Sequence, residues 1–441
     1  MGAVTVQDTS VVSTWTTVTF IQPFPTTPLV FALPTNEGTD PSTIRVRNVT
    51  TTGFEIVMVE PSANDGPHAA MNTAYLAIEP GDHTLPDGTQ LSAFTHITSS
   101  FANRFISTTW DTVPYPSPFT ATPAILAQIQ TVASESGTPP ATSSIPFMDA
   151  GIRNVGTGTF QTTLDRVEST AGMVSSPETI AILAIDAGTD ITFVDALQNS
   201  IQLQSLRTPN NVRGWGNGCF TNNYAATFSV TPIAVASANS RNGNNGGWVR
   251  RCSQSNSAIG LTIDEDIDND TERNHINETA GVVAASADFH ANFDVDLLVT
   301  KTVSALSDPV NAGSNPKSIP DSTVGYTVSV QNRGSVSPDN DSVEITDDVP
   351  TELALCVTAA CFAGGPVVLD VSGSPIPPGV TIGSVDYSDD GGLTFTYVPV
   401  PDADGFDPAV TDVRVTMAGT LAPIGTGGEP SFELQFAARV E

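Results

Sequence analysis

One spaced set of residues occurs three times in this chain, and it restricts the fold to a modular one. Phe24 is followed four residues later by Pro28, Phe119 by Pro123, and Phe228 by Pro232. Each pair leads into a short apolar run, at 29–33, 124–127 and 233–236. Trp15 and Trp110 each stand nine residues before the repeat Phe, and Arg47-Asn48-Val49 precedes Phe54 as Arg153-Asn154-Val155 precedes Phe160. The block 75–81 matches 182–188, with a weaker third copy at 278–285. The repeat Phe recurs after 95 residues (119 minus 24) and then 109 (228 minus 119). That period is too long for a solenoid unit and fits a whole small domain.

Within each period, β-branched and alternating runs are separated by Pro, Gly, Asn and Asp clusters, and long helical periodicity is missing. The fold class predicted is all-β: tandem antiparallel β-sandwiches, three related repeats at 1–100, 101–208 and 209–295. From about residue 296 the alternation becomes cleaner, as in Val324-Gly325-Tyr326-Thr327-Val328-Ser329-Val330. This predicts a fourth, Ig-like sandwich over 296–441.

Charge removes whole classes of function. The chain has 47 acidic against 16 basic residues, a net charge of −31, and its only lysines are Lys301 and Lys317. No basic patch can neutralise phosphates, so nucleic acid is excluded as a partner. No apolar stretch approaches the ~18–20 residues that span a bilayer, so membrane insertion by a helix is excluded as well.

The four cysteines fall as two local pairs, Cys219 with Cys252 and Cys356 with Cys361. Of three possible connectivities this one closes the shortest loops, and no zinc-type spacing surrounds either pair. Cys219 aligns with Trp15 and Trp110, and Cys252 with Asn48 and Asn154. A bond between the cysteines therefore predicts that Trp15 lies beside Asn48, and Trp110 beside Asn154, in neighbouring strands. Disulfides place the chain in an oxidising setting, secreted or at a cell surface.

Two resemblances follow. The blocks Leu298-Val299-Thr300-Lys301-Thr302-Val303, Tyr326-Thr327-Val328-Ser329-Val330-Gln331-Asn332-Arg333-Gly334 and Asp341-Ser342-Val343-Glu344-Ile345-Thr346-Asp347 resemble the Ig-like repeat domain of unknown function common in bacterial surface proteins. That implies an extracellular bacterial protein. Phe20, Phe24, Pro28 and Val30, with Val49-Thr50-Thr51-Thr52-Gly53-Phe54-Glu55-Ile56, are similar to H-type lectin sandwiches. That family implies six strands, usually three copies together, and sugar binding.

No nucleophile elbow, zinc-protease helix or phosphate-cradling loop occurs. The pattern at Arg241, Asn242, Asn244, Asn245 and Trp248 suits a glycan: a Trp face for the sugar's apolar side, with Arg and Asn as donors. A hairpin loop with Trp248 tucked inward explains the same letters. Calcium is the candidate cofactor at two acidic loops, Asp264, Asp266, Asp268 and Asp270, and Asp402, Asp404 and Asp407. Each reads equally as a solvated acidic turn. His68 and His275 share one repeat position and read as loop histidines beside a strand. The strand-like N-terminus, with Val4, Val6, Val11 and Val12, could pair with a neighbouring copy's sheet edge or complete its own sheet. The leading expectation is a non-enzymatic extracellular structural protein, a rod of four sandwiches forming a homo-oligomer or homopolymer. A lectin-like adhesin that binds glycans is the alternative.

Overall fold

The computed structural model describes residues 1–6, 14–61, 68–85, 87–135 and 145–441. They form an all-β protein of predominantly antiparallel sheets, and among them the one helical element is a 3-10 turn at Trp215–Asn217. Two compact units result: Met1–Phe193 with Ile201–His290, and Val194–Ser200 with Ala291–Glu441.

The first unit holds the three repeats. In the first, β1 (Gly2–Val6), β6 (Met71–Ile78) and β3 (Leu29–Leu33) form one sheet, in that order. The other sheet is β2 (Thr16–Thr19), β5 (Gly53–Val59) and β4 (Thr43–Arg47). Their inward residues, among them Val6, Val30 and Met71 from one and Val18, Val46, Phe54 and Ile56 from the other, share one core. Burying each such side chain stabilises the fold by about 1.5–3 kcal/mol.

The second repeat repeats the plan with β7 (Gly81–Thr84), β8 (Gln90–Thr98), β14 (Glu178–Ile185) and β11 (Ala124–Ile129). Its second sheet is β10 (Asp111–Pro114), β13 (Thr159–Asp165) and β12 (Asp149–Arg153), joined by β9 (Phe101–Ala102). The third has β15 (Asp190–Val194), β16 (Ser200–Arg207), β21 (Ala280–Ala285) and β18 (Ile233–Ala238), then β17 (Phe220–Asn223), β20 (Ala258–Asp264) and β19 (Trp248–Gln254). Gln90–Thr98 precedes residue 100 yet pairs with β14, and Ser200–Arg207 precedes residue 209 yet pairs with β21. The strand that opens each repeat thus comes earlier in the chain than the Trp-to-Phe frame suggests.

The recurring aromatic residues earn their spacing. The backbone N–H groups of Phe24, Phe119 and Phe228 donate to the carbonyls of Thr51, Thr157 and Asn256, at 2.8, 2.9 and 2.8 Å. Four residues earlier, Phe20, Tyr115 and Tyr224 donate to the next residue of the same turn. Each pair of rings meets edge to face, with centroids 4.9, 5.0 and 5.0 Å apart. This pins the segment leaving the first strand of one sheet to the hairpin of that same sheet, so spacing and not only composition is repeated.

The repeats do not string out as beads on a rod. The equivalent strands β3, β11 and β18 each touch the other two, which gathers the repeats around one pseudo-threefold axis. The chain also runs as a ring. After β6, Gly81 pairs with Ala93 of the second repeat. After β14, the Gly188 N–H donates to Ser205 of the third at 3.0 Å. After β21, Phe289 exchanges backbone hydrogen bonds with Met1 of the first. The segment leaving each repeat thus meets the strand that opens the next.

The N-terminal strand completes its own sheet. β1 pairs with β6 from Gly2–Tyr75 to Val6–Met71, Val6 is buried, and Val4 packs on the same core. These valines are therefore not available to a neighbour while the first sandwich is intact; Val11 and Val12 lie outside the described residues.

The second unit is a separate sandwich. One sheet runs β22 (Leu297–Ser307), β23 (Thr323–Asn332), β30 (Ser431–Val440), β25 (Leu353–Cys356) and β28 (Phe406–Asp407), with β26 (Val368–Asp370) also on β30. The other is β24 (Glu344–Asp348), β29 (Asp412–Gly419) and β27 (Val380–Ser388). Val328, Val330, Phe432 and Leu434 meet Val413, Val415 and Met417 in its core, as strict alternation requires.

Candidate functional site

The chemistry-bearing side chains of the three repeats converge where the repeats meet. Between the first and second, Arg45 of β4 is buried and ion-paired with Glu135, and its Nη2 donates to the Thr131 carbonyl at 2.8 Å. At the equivalent position the third repeat has Arg250, because Arg45 faces Val57 of β5 as Arg250 faces Thr262 of β20. Arg250 reaches the first repeat's loop, donating to the carbonyls of Thr35 (2.9 Å), Asp40 (2.8 Å) and Glu37 (3.3 Å), and to Asp264 (2.6 Å). The second repeat has Gly151 there, facing Thr163 of β13. Its junction with the third repeat reverses the polarity: Arg241, from the third repeat's loop, pairs with Asp165 of β13 at 2.7 Å.

Acids hold the same loops from within. Glu178 accepts from the N–H groups of Ala133 and Ser134, and Glu278 from those of Asn242 and Gly243. The first repeat has Met71 at this position, and there the loop's carbonyls are held by Arg250 instead. Closer to the axis, Gln130 brackets Val30 by accepting from its N–H and donating to its carbonyl, and Asn239 does the same to Ile125. The third such position is Thr35, too short to repeat the clamp.

The proposed glycan group is internal. Trp248 is 2% exposed, packs against Phe147 with the rings tilted at 54°, and donates from its ring nitrogen to the Ser42 carbonyl at 2.7 Å. Arg241 is spent on Asp165, Asn245 on Glu265, and Asn242 on the Asn277 carbonyl; Asn242 and Asn244 are exposed, and Arg241 and Asn245 partly buried. A sugar cannot stack on a face already covered by Phe147.

The calcium loops are likewise committed. Asp264 accepts from Arg250 and Arg273, and Asp266 from the N–H groups of Glu168 and Ser169, while Asp268 and Asp270 are exposed. Asp402 accepts from Phe406 N–H and Arg439, and Asp407 from Tyr397 and Val400; Asp404 is exposed. Among the described residues, no group of three or more His, Cys, Asp or Glu is arranged to hold a metal ion. A chelator should accordingly leave the melting temperature unchanged, since these oxygens already bind N–H groups and guanidinium; a fall of several degrees on chelation would contradict that assignment.

Both cysteine pairs are bonded, each with Cα atoms 5.8 Å apart. The aligned tryptophans meet the arginines that precede Asn48 and Asn154, and not across neighbouring strands. Trp15 and Trp110 lie under the guanidinium groups of Arg47 (3.9 Å) and Arg153 (4.1 Å). Both asparagines have positive φ and donate to Glu55 and Gln161. The strands involved are not neighbours: they flank a central strand, so the clamp bridges across it. In the third repeat the bridge is Cys219–Cys252, and the central position occupied by Glu55 and Gln161 is Gly260. A Cβ there would lie 2.5 Å from the Cys219 sulfur.

His68 and His275 each cover a loop glycine, Gly38 and Gly243, where an added Cβ would come within 2.5 and 2.4 Å of the ring. His275 also sits between Glu265 and Glu278. The adjoining cavity is about 10 Å³, room for no substrate. Burial opposes the imidazolium, but hydrogen bonds to the two carboxylates outweigh it and hold His275 up at about 9. Burial also lifts the Glu265 carboxyl; with two carboxylates facing one ring, the proton rests on His275. The folded-state value lies above the ordinary 6.5. The contribution to stability, on the order of 3 kcal/mol, is therefore full below about pH 6.5 and lost as pH rises through about 9. Urea unfolding at pH 6 and pH 10 should show this loss, and His275→Gln should flatten it.

Among the described residues an open groove of about 510 Å³ is lined by Thr35, Asn36, Glu37, Thr231, Arg251 and Gln254 among others. It lies between the first and third repeats, at the junction where Thr35 replaces the amide clamp. Comparison with family models, curated proteins and solved structures finds no match to this chain.

Proposed function

We propose that this chain is a non-enzymatic, extracellular structural protein that self-associates. The observation that carries this reading is the fate of its chemistry: Arg45, Arg250 and Arg241 are consumed in clasps between repeats, His275 is held between Glu265 and Glu278 within the third repeat, and the cavity beside it is about 10 Å³. Such clasps make a rigid three-repeat body, suited to transmitting load or presenting a surface. The two disulfides support an oxidising location. The expected signature is salt-promoted association. At net charge −31, copies repel at low ionic strength, and at 0.15 M the Debye length falls to about 8 Å. Sedimentation of the full chain at low and physiological salt tests this; a monomer under both conditions, at high concentration, overturns it.

A second reading, the lectin-like adhesin, is favoured by the groove beside Thr35 and by three two-sheet repeats gathered together, the first of them six-stranded, as the lectin resemblance implies. Binding of the monomeric chain on a glycan array, lost on Arg251→Ala, is the result that would put it ahead.

A further inference from the structure

We propose that the outer edge of β22 is a docking surface for β22 of a second copy, joining two second units through one continuous antiparallel sheet. The inference deepens the self-association reading and rests on it. An unpaired strand edge is a template for another chain, and proteins guard such edges with short strands, charges, bulges or covering segments. The second unit guards every edge but this one. β28 is two residues long and β26 three. β24 carries Glu344, Asp347 and Asp348 in five residues. β27 is bulged between Ile382 and Ser384, and Tyr397 bonds to its Tyr387 carbonyl.

Among the described residues β22, eleven residues long, is the longest strand, and its one sheet neighbour there is β23. Its bulge lies at the far end, between Ala305 and Ser307. It contains no Pro, Gly, Asp or Glu. In a chain of net charge −31, a second copy can approach closely only along such an acid-free stretch. Its one charge, Lys301, is turned inward to Asp347 at 2.6 Å and over the Tyr326 ring, so it does not guard the edge. Val299 and Val303 lie opposite Val330 and Tyr326 of β23, on the core-facing side, yet are 54% and 59% exposed. The apolar face of the sheet therefore runs on past its cover.

Antiparallel pairing centred on Thr302 uses the whole strand. It sets Leu298 opposite Leu306, Val299 opposite Ala305, Thr300 opposite Ser304 and Lys301 opposite Val303. No like charges face each other, and apolar and β-branched pairs of this kind favour a sheet. The arrangement is isologous and closes as a dimer, so a polymer would need a further contact.

Thr300 and Ser304 are both exposed, which makes them suitable for charge swaps that leave the fold intact. In the full chain, Thr300→Glu/Ser304→Glu should weaken self-association by about a hundredfold, as should Thr300→Lys/Ser304→Lys, and mixing the two should restore it in mixed pairs. If wild type associates but both variants associate equally well and mixing gains nothing, this edge is not the interface and self-association stands without it. If wild type never associates, both readings fail together.

Discussion

Replacing Arg250 by methionine should lower the unfolding free energy of the three-repeat unit by about 3–5 kcal/mol. Methionine keeps the apolar stem but leaves the carbonyls of Thr35, Glu37 and Asp40 without the donor that crosses from the third repeat. It also leaves Asp264 with Arg273 alone. Breaking a buried, hydrogen-bonded charge pair from one side costs this much, because its partners stay desolvated. Arg47→Met is the control. That guanidinium is partly exposed over Trp15, where a cation–π contact is worth about 1 kcal/mol. Urea unfolding of both variants separates the cases; equal losses would mean that the junction contributes no more than a surface clamp.

Removing the Cys219–Cys252 bond by paired serine substitutions should cost about 3–4 kcal/mol, the chain-entropy value for a loop of this length. The third repeat has this bond where the other two have the Trp-over-Arg clamp. Gly260→Ala should also destabilise it, because the new Cβ would meet the Cys219 sulfur at 2.5 Å and the Ser253 hydroxyl at 2.1 Å. The corresponding change Gln161→Ala in the second repeat removes the acceptor for Arg153 and Asn154 but creates no clash, and should cost less. If the serine variant unfolds at the same denaturant concentration as wild type, the bond is not a substitute for the clamp.

The repeat frame was legible because aromatic, Pro and Cys residues mark fixed backbone events: edge-to-face ring pairs, the turn at Thr51 and its counterparts, and a bridge over a central strand. The alternation that identified β23 and β30 was legible for the reason that one face of each is buried and the other wet. Arg45 and Arg250 were not. In a single sequence they look like outward residues of an alternating strand, and their burial depends on a neighbouring repeat. The one available signal was that Arg45 stands between Ile44 and Val46 and Arg250 follows Trp248 and Val249, in a chain almost without lysine. Trp248 misled in the same way: a Gly- and Asn-rich loop with Arg and Trp suits a sugar, but the repeat beside it supplies Phe147 and the Ser42 carbonyl. Association of repeats is a long-range outcome, and local spacing carries no record of it.

The central claim is that three repeats form one closed body held by these junctions. β3 and β11 are edge strands of their own sheets. In independent repeats the Val30 and Ile125 N–H groups would face solvent; here they donate to Gln130 and Asn239 of the next repeat, at 3.1 and 2.9 Å. Site-resolved hydrogen exchange on the full chain reads this directly. Both amides should exchange only through the global opening of the three-repeat unit, with the same protection and the same dependence on denaturant. Exchange of Val30 or Ile125 at the rate of an exposed strand edge, while the cores of the repeats stay protected, would contradict it.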